Sequence, residues 1–352
     1  VSKYHFAVFI GRFQPLHIGH QHVIREALKQ AERVIVLIGS SNIARDFANP
    51  FTFEERKEMI HRVFRHEMAT ERLIVEPLED NLYNDSAWIA SVQRTITDII
   101  LEYGNNHGFH TSGINDFKVA LAGFGKDATG FYLKRFPEWE SIQIGSQFGT
   151  FNASNIRAAY FQPLPLIPTR GLDDQVAGFL EEYMLTEEFK RRVYEQQYLI
   201  DYRKTYGKGP FLTADACVTQ SGHVLLIRRG KEYGHGLLAL PGGFVNENEQ
   251  IRDASVRELK EETKISDRKG EIPPSMLASF ITGSELFDHP KRSLRGRIVT
   301  TAYRFVLPDS KELFTVKGSD DAEHADWYRL GDLEPQVFFE DHWSILQKMI
   351  GF

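Results

Sequence analysis

Strand-like and helix-like segments alternate through the first half of the chain, and this alternation constrains the fold more than any other feature. Phe6–Ile10 is a short apolar run ending in Gly11, and Ile18–Ala31 follows with a helical pattern. Arg33–Gly39 (RVIVLIG) reads as a strand buried on both faces. Phe53–Met68 predicts a long helix, Leu73–Val75 a strand, Ser86–Tyr103 a helix, Lys118–Ala122 a strand, and Ile142–Ile144 one more. Such alternation argues for a doubly wound α/β sheet, which binds ligands at the carboxyl ends of its strands. Pro163, Pro165 and Pro168 then break the pattern, and Leu172–Tyr206 reads as two charged helical stretches. From Gly207–Pro210 (GKGP) onward the character is α+β, with a strong helix at Glu249–Thr263 and a final one near Asp341–Ile350. The expected division is residues 1–170, a helical connector at 171–206, and a second domain at 207–352.

Composition fits two domains of ordinary size. The chain has 352 residues, 42% hydrophobic and 26% charged, so each half can bury a core. The net charge of −6 argues against coating nucleic acid, which needs clustered cations, while leaving room for a local basic pocket. A lone cysteine, Cys217, cannot form an internal disulfide. No apolar run is long enough to span a bilayer, and no signal-like start is seen. A cytoplasmic protein with no membrane or nucleic-acid partner is expected, and a homo-oligomer stays open.

The segment Gly11–His20 reads GRFQPLHIGH. His17 and His20, three apart, can face the same side of a first helical turn, and Gly19 leaves no side chain to block a phosphate. A helix start offers unpaired N–H groups and positive potential to an anion. Imidazoles there can donate to phosphate oxygens as charge builds during transfer. Two histidines alone would be ordinary core or surface residues. The whole segment resembles the HxGH signature of the nucleotidyltransferase superfamily.

Further segments narrow the resemblance. Asn49–Arg56 (NPFTFEER) resembles a segment of the archaeal-type NMN adenylyltransferases, and Thr52 with Glu55 also forms a capping box. Phe151–Arg157 (FNASNIR) resembles the superfamily's second signature at Ser154 and Arg157; Asn152 replaces its usual Ser and receives no role. The resemblance implies that Ser154 caps a helix facing the triphosphate and that Arg157 grips its outer phosphates. Trp88 either stacks on nicotinamide, as the resemblance implies, or belongs to the core. Lys126 and Asp127, after a buried strand, are candidates for ribose or phosphate contacts. The implied ATP/NMN-binding set is Gly11, Arg12, Phe13, Gly19, Thr52, Arg56, Trp88, Lys126, Asp127 and Ser154, with His17, His20 and Arg157 catalytic. The implied chemistry is in-line attack by the NMN phosphate on ATP, with Mg²⁺ brought in by ATP.

Gly243–Ile265 reads GFVNENEQIRDASVRELKEETKI. Glu258, Glu261 and Glu262 crowd one helical face, where like charges cost about 0.2–0.5 kcal/mol per pair. A hard dication offsets that repulsion, and Arg257 and Glu249 can buttress the cluster. An isolated acidic run would be a solvated face. The full spacing, preceded by Pro241–Phe244 (PGGF), is similar to the Nudix box, with Lys264 in place of the Gly at the helix exit. The resemblance implies that Glu258, Glu261 and Glu262 are catalytic and bind Mg²⁺ or Mn²⁺. The general base is left open among Glu258, Asp320, Asp321 and Glu323. Phe287–Arg297 (FDHPKRSLRGR) resembles a segment of ADP-ribose-hydrolysing Nudix domains. Arg292, Arg295 and Arg297 would then hold ADP-ribose, although a solvated basic loop reads the same way.

The domain order resembles the bacterial bifunctional NMN adenylyltransferase/Nudix hydrolases. The implied fold is a Rossmann-like α/β nucleotidyltransferase domain with a parallel sheet, followed by an α+β Nudix domain. The implied substrates are ATP, NMN and ADP-ribose. One rival is another nucleotidyl acceptor, against which NPFT…ER and Trp88 argue. The other is a non-catalytic Nudix-fold sensor, against which the intact glutamates argue.

Overall fold

The computed structural model describes residues 2–107, 113–124, 132–145, 152–168, 170–230, 233–268, 270–319 and 322–351. The chain divides into two compact units, Val1–Gln196 and Gln197–Phe352.

The first unit runs β1 (Tyr4–Gly11), α1 (Ile18–Gln30), β2 (Ala31–Ile38), α2 (Phe53–Val63), α3 (Arg65–Ala69), β3 (Leu73–Pro77), α4 (Asp85–Asn106), β4 (Val119–Phe124), β5 (Glu140–Ile144), α5 (Ala153–Tyr160), α6 (Asp174–Tyr183) and α7 (Glu187–Tyr206), which crosses the division. The five strands form one parallel sheet in the order β3-β2-β1-β4-β5. Successive side chains of a strand point to opposite faces, and both faces are buried. Ala7, Phe9, Val34, Val36, Ala120 and Ala122 join one core. Phe6, Val8, Ile35, Leu37, Val119 and Leu121 join the other. This explains why the strands read as continuous apolar runs. The helix expected over Phe53–Met68 is broken at Phe64, which leaves helical geometry and buries its ring. Val176, Phe179, Leu180 and Tyr183 of α6 and Phe189 of α7 pack into the same core as α1 and α2.

The second unit runs β6 (Phe211–Gln220), β7 (His223–Arg229), β8 (Leu238–Ala239), β9 (Gly242–Phe244), α8 (Ile251–Thr263), β10 (Ser266–Asp267), β11 (Gly270–Glu271), α9 (Pro274–Ser279), β12 (Ile281–Phe287), β13 (Ile298–Val306), β14 (Ala322–Arg329) and α10 (His342–Ile350). Its main sheet has the order β12-β13-β6-β7-β14, with β9 on β6 and β8 on β7. Only the β6–β13 pair of that sheet is parallel. Ser221 and Gly222, both with positive φ, turn β6 into β7. Val256 and Leu259 of α8 pack on Ala216, Val218 and Phe305, which holds the acidic helix against the sheet. Cys217 is buried with a free thiol. Among the described residues no helix is long and apolar enough to cross a membrane.

Candidate active sites

In the first unit, β1 ends at Gly11 and α1 begins at Ile18, so GRFQPLHIGH lies at the carboxyl edge of the parallel sheet. His17 is the N-cap of α1. Its Nδ1 accepts the Gly19 N–H at 3.1 Å, and the His17 N–H donates to His20 Nδ1 at 3.3 Å. Two imidazoles thus do what a hydroxyl and a carboxylate do in an ordinary capping box. Their rings stack at 3.7 Å. Burial pushes the His17 pKa down to about 4 and the His20 pKa well down, the latter helped by neighbouring His17 and Arg12. Both rings are neutral at pH 7. Because each Nδ1 accepts a backbone hydrogen, each proton sits on Nε2, which is left to donate. Gly19 serves a nearer purpose than leaving room for phosphate: a Cβ there would meet the His17 ring at 3.0 Å.

The remaining expected residues divide between bracing and access. Arg12 is exposed, and its carbonyl accepts from Arg56. Arg56 does not reach outward. Its guanidinium donates to the carbonyls of Arg12 (2.9 Å), Gly39 (2.6 Å), Ser40 (3.2 Å) and Thr52 (3.1 Å), clamping the ends of β1 and β2. Burial lowers its pKa to about 10. Phe13, expected at the nucleotide, is a core residue with φ of 52°, packed against Phe9 and under His20. Gly11 accommodates it, since a Cβ would meet the Phe13 ring at 3.0 Å. Thr52 caps α2 in the expected box with Glu55. Arg157 donates to the Gln14 carbonyl at 2.6 Å and to Ser154 Oγ at 3.2 Å, and its buried Nε has no partner among the described residues. Burial and the Arg12 cation lower its pKa to about 10. The cap of α5 is Asn152, which accepts from Asn155 N, rather than Ser154; Ser154 sits inside the first turn, and its hydroxyl steadies Arg157. Trp88 lies on α4, half-buried against the second core and near Phe136. Lys126 and Asp127 lie outside the described residues.

Sequence reasoning missed Gln14 and Asp80. The Gln14 amide bonds the Phe51 backbone in both directions, at 2.9 and 3.0 Å, tying GRFQP to NPFT. Asp80 accepts from Ser40 N and Oγ, and its backbone pairs with the Asn42 amide. Gln14 lay inside a recognised segment; Asp80 carries no local signal.

In the second unit, α8 presents Glu258, Glu261 and Glu262 beside β9. Glu262 Oε2 accepts the Gly242 N–H at 2.9 Å. Glu258 packs on Gly243, where a Cβ would stand 2.6 Å from the carboxylate carbon. Arg257 gathers the cluster: it donates to Glu249 through Nε (2.8 Å) and Nη2 (2.9 Å), to Glu258 at 2.7 Å and to Glu261 at 2.9 Å. These partners hold its pKa far up. Among the described residues no three acidic, histidine or cysteine side chains already converge as a metal cage. The donor chemistry still fits a hard dication, because Glu258 and Glu262 meet at the Gly242–Gly243 strand with only carboxylate oxygens. Lys264 is the C-cap of α8 at φ 43°, the left-handed geometry that the glycine it replaces would adopt freely. Glu323 is half-exposed, 3.8 Å from His235; Asp320 and Asp321 lie outside the described residues.

The arginines of Phe287–Arg297 are each paired with an acidic residue of the chain. Arg292 makes a buried, two-pronged ion pair with Asp341 through Nε and Nη2, both bonds 2.9 Å. Arg295 pairs with Glu340 at 3.0 Å. Arg297 is held by Asp288 through its carbonyl and carboxylate. Asp215, missed in the sequence, is buried behind Gly242 and accepts from Thr300 at 2.6 Å; burial raises its pKa to about 6.

Comparison with known proteins agrees with this geometry. A cytidylyltransferase-like family matches residues 8–120, and the NUDIX domain family matches residues 209–349. A nicotinamide/nicotinic acid mononucleotide adenylyltransferase of Acinetobacter baylyi is 35% identical over 160 residues, which cover 46% of this chain and 77% of that protein. A nicotinamide-nucleotide adenylyltransferase of Archaeoglobus fulgidus is 36% identical over 104 residues, 28% of this chain and 59% of that one. A bifunctional NMN adenylyltransferase/ADP ribose pyrophosphatase of Francisella tularensis, solved with AMP and a manganese ion, superposes with a TM-score of 0.86 at 30% identity, covering 99% of each chain. The nucleotidyltransferase half and the Nudix half are thus matched together, end to end, and the chain belongs to the family of bifunctional NMN adenylyltransferase/ADP-ribose pyrophosphatases.

Proposed function

We propose that the first unit transfers AMP from ATP to NMN, giving NAD and pyrophosphate, and that the second hydrolyses a nucleoside diphosphate derivative, ADP-ribose first among them, to AMP and ribose 5-phosphate. The observation that carries the reading is the pair of neutral, stacked imidazoles at the start of α1, paired on the same chain with a carboxylate face braced by Arg257. In the transferase, an NMN phosphate oxygen attacks the α-phosphorus of ATP in line, a P–O–P bond forms, and the bond to the departing pyrophosphate breaks. No protein nucleophile is needed. The chain supplies Nε2–H donors from His17 and His20 and the guanidinium of Arg157, fixed before substrate arrives, where charge gathers on the phosphoryl oxygens. Arg12 lies exposed at the same edge, and Gln14, Arg56 and Thr52 hold the loops that carry these groups.

In the hydrolase, water attacks one phosphorus of the diphosphate, and the bond to the bridging oxygen breaks. Glu258, Glu261 and Glu262 would hold Mg²⁺ or Mn²⁺, which supplies polarisation of the diphosphate and an acidified water; Mg²⁺ reaches the transferase with ATP. The Gly242 N–H orients Glu262, and Arg257, itself anchored by Glu249, orients Glu258 and Glu261. The reading divides the chain functionally into residues 1–170 and 207–352, joined by 171–206. It also places the protein in the cytoplasm with small-molecule partners, without nucleic acid or membrane.

The test uses the whole chain with two reactions: NAD formed from NMN and ATP, and AMP released from ADP-ribose. Glu262→Gln is expected to abolish hydrolysis and spare NAD synthesis, and His20→Ala to do the reverse. Loss of both activities in a folded variant contradicts two independent sites, and absence of NAD formation by the wild type ends the transferase assignment.

A further inference from the structure

Three arginines of the second unit, Arg292 buried and Arg229 and Arg295 half-buried, lie in or beside the turns at the ends of its strands. Two are neutralised in place, Arg292 by Asp341 and Arg295 by Glu340. Arg229 is different. It is the last residue of β7, and its backbone is fixed on both sides: its N–H donates to the Leu237 carbonyl and its carbonyl accepts from Gly236 N, both at 2.9 Å. Its guanidinium carbon lies over the Phe339 ring, 4.0 Å from the centroid. Among the described residues it closes no ion pair. Among the described residues its guanidinium makes a single long hydrogen bond, 3.4 Å from Nη2 to the Tyr233 carbonyl, and its Nε, shut off from solvent, has no partner there. The acids that act on it from further off are Glu340 and Glu262, and Glu262 belongs to the carboxylate face of α8.

The surroundings are built around this guanidinium. Gly234 has φ of 77°, and a Cβ there would collide with the Phe339 ring and stand 3.2 Å from Arg229 Nε. Phe339 meets Tyr233 edge-on at 5.4 Å. Glu340, the residue after Phe339, is held at φ of 45° while it accepts from Ser293, Arg295 and Tyr233. A guanidinium removed from water without an anion is costly, and stacking on a ring offsets only part of that cost. Its planar fork matches two oxygens of a phosphate.

We infer that Arg229 binds the diphosphate bridge of the hydrolase substrate, as the cation opposite the carboxylate face formed by Glu258, Glu261 and Glu262. This inference rests on the hydrolase reading of the second site. It shifts the task of phosphate recognition from Arg292 and Arg295, which are already paired, to the one arginine of the three left without a carboxylate among the described residues. Substrates with a bridging diphosphate gain from the contact. A nucleoside monophosphate such as AMP gains less, having one phosphate to offer.

The test compares full-length wild type with Arg229→Met, which keeps the stack on Phe339 and removes the charge, and Arg229→Lys, which keeps the charge and loses the fork. ADP-ribose hydrolysis is measured as kcat and KM, AMP binding by calorimetry, and folding by thermal melting. Arg229→Met is expected to raise KM for ADP-ribose at least tenfold, with Arg229→Lys in between. AMP affinity should change less, the melting temperature should stay or rise, and NAD synthesis should be unaltered. An unchanged KM in a folded Arg229→Met protein overturns the inference, as does a melting temperature that falls in both variants with KM retained, which marks a purely structural residue. If the wild type hydrolyses no diphosphate-bridged nucleotide, the hydrolase reading itself fails, and that result is distinct from either outcome.

Discussion

Gly243→Ala tests whether the position of Glu258, rather than its mere presence, sets hydrolase activity. Gly243 does not occupy the left-handed region, so alanine meets no backbone strain, and only space decides the outcome. The added Cβ would stand 2.4 Å from Glu258 Oε1 and 2.6 Å from its Cδ, whereas ordinary contact begins at 3.4 Å, so the carboxylate must retreat by about 1 Å. Arg257 cannot follow it freely, because two of its nitrogens are bound to Glu249. A displacement near 1 Å at a reacting centre costs on the order of 100-fold in rate, equivalent to about 2.7 kcal/mol of barrier. Crowding of this kind lowers stability by about 1–3 kcal/mol. The assay is the initial rate of AMP release from ADP-ribose across a Mn²⁺ titration, with NAD synthesis as the internal control and thermal melting to verify the fold. The expected result is a loss near 100-fold in hydrolysis with NAD synthesis intact. A folded variant that hydrolyses within twofold of wild type would refute the placement of Glu258 at the reacting centre.

Three further outcomes follow from the same geometry. Lys264→Gly relieves a left-handed residue at the exit of α8 and should stabilise the second unit by about 0.5–1 kcal/mol in denaturant melts, the strain released being partly offset by glycine's entropy in the unfolded chain. Acidification should weaken the first unit. The His17 pKa is about 4 when folded against an ordinary 6.5, so between those values the unfolded chain binds more protons. Stability is full above pH 6.5 and falls by up to about 3 kcal/mol as pH drops towards 4, a component that His17→Asn should remove from urea melts. Arg292→Met strands the buried Asp341 carboxylate and should cost about 3–5 kcal/mol, while adding Asp341→Leu restores most of it; preserved stability with a raised KM would instead make Arg292 a substrate ligand.

What was legible in the sequence was local. The start of α1 at Ile18, the Thr52–Glu55 box and the helical face of Glu258, Glu261 and Glu262 each depend on residues within one helical turn, and the structure shows all three. The effect of Lys264 at the helix exit was equally local. What the sequence did not show depended on partners far along the chain. Arg56 looked like a phosphate ligand, but its acceptor at Arg12 is 44 residues away. Arg292 was expected to hold ADP-ribose, and nothing in the sequence pointed to Asp341, 49 residues away, which takes two prongs of its guanidinium. The cap of α5 went to Asn152 because its side chain reaches Asn155 N, which a family pattern expecting Ser at that place does not reveal. A cation's role is set by which acceptor folding brings to it, and spacing along the sequence does not encode that.

The two sites solve one physical problem alike. A reactive side chain in a dry pocket needs a fixed orientation and a fixed protonation state, and in both units a backbone N–H contributes to these. The Gly19 N–H binds His17 Nδ1, which orients the ring and forces the remaining proton onto Nε2. The Gly242 N–H binds Glu262 Oε2, which orients the carboxylate and favours its charged form. In both places neighbouring glycines admit the group: a Cβ at Gly19 would touch the His17 ring, and a Cβ at Gly243 would press on Glu258. Protonating His17 on Nδ1 would break its own cap, so the bond that starts the helix also keeps the imidazole neutral. Burial alone would lower the pKa without choosing a tautomer; the cap chooses it. The glycines of these segments therefore act on chemistry through their neighbours, and adding a single methyl group at either can disable a residue it does not replace.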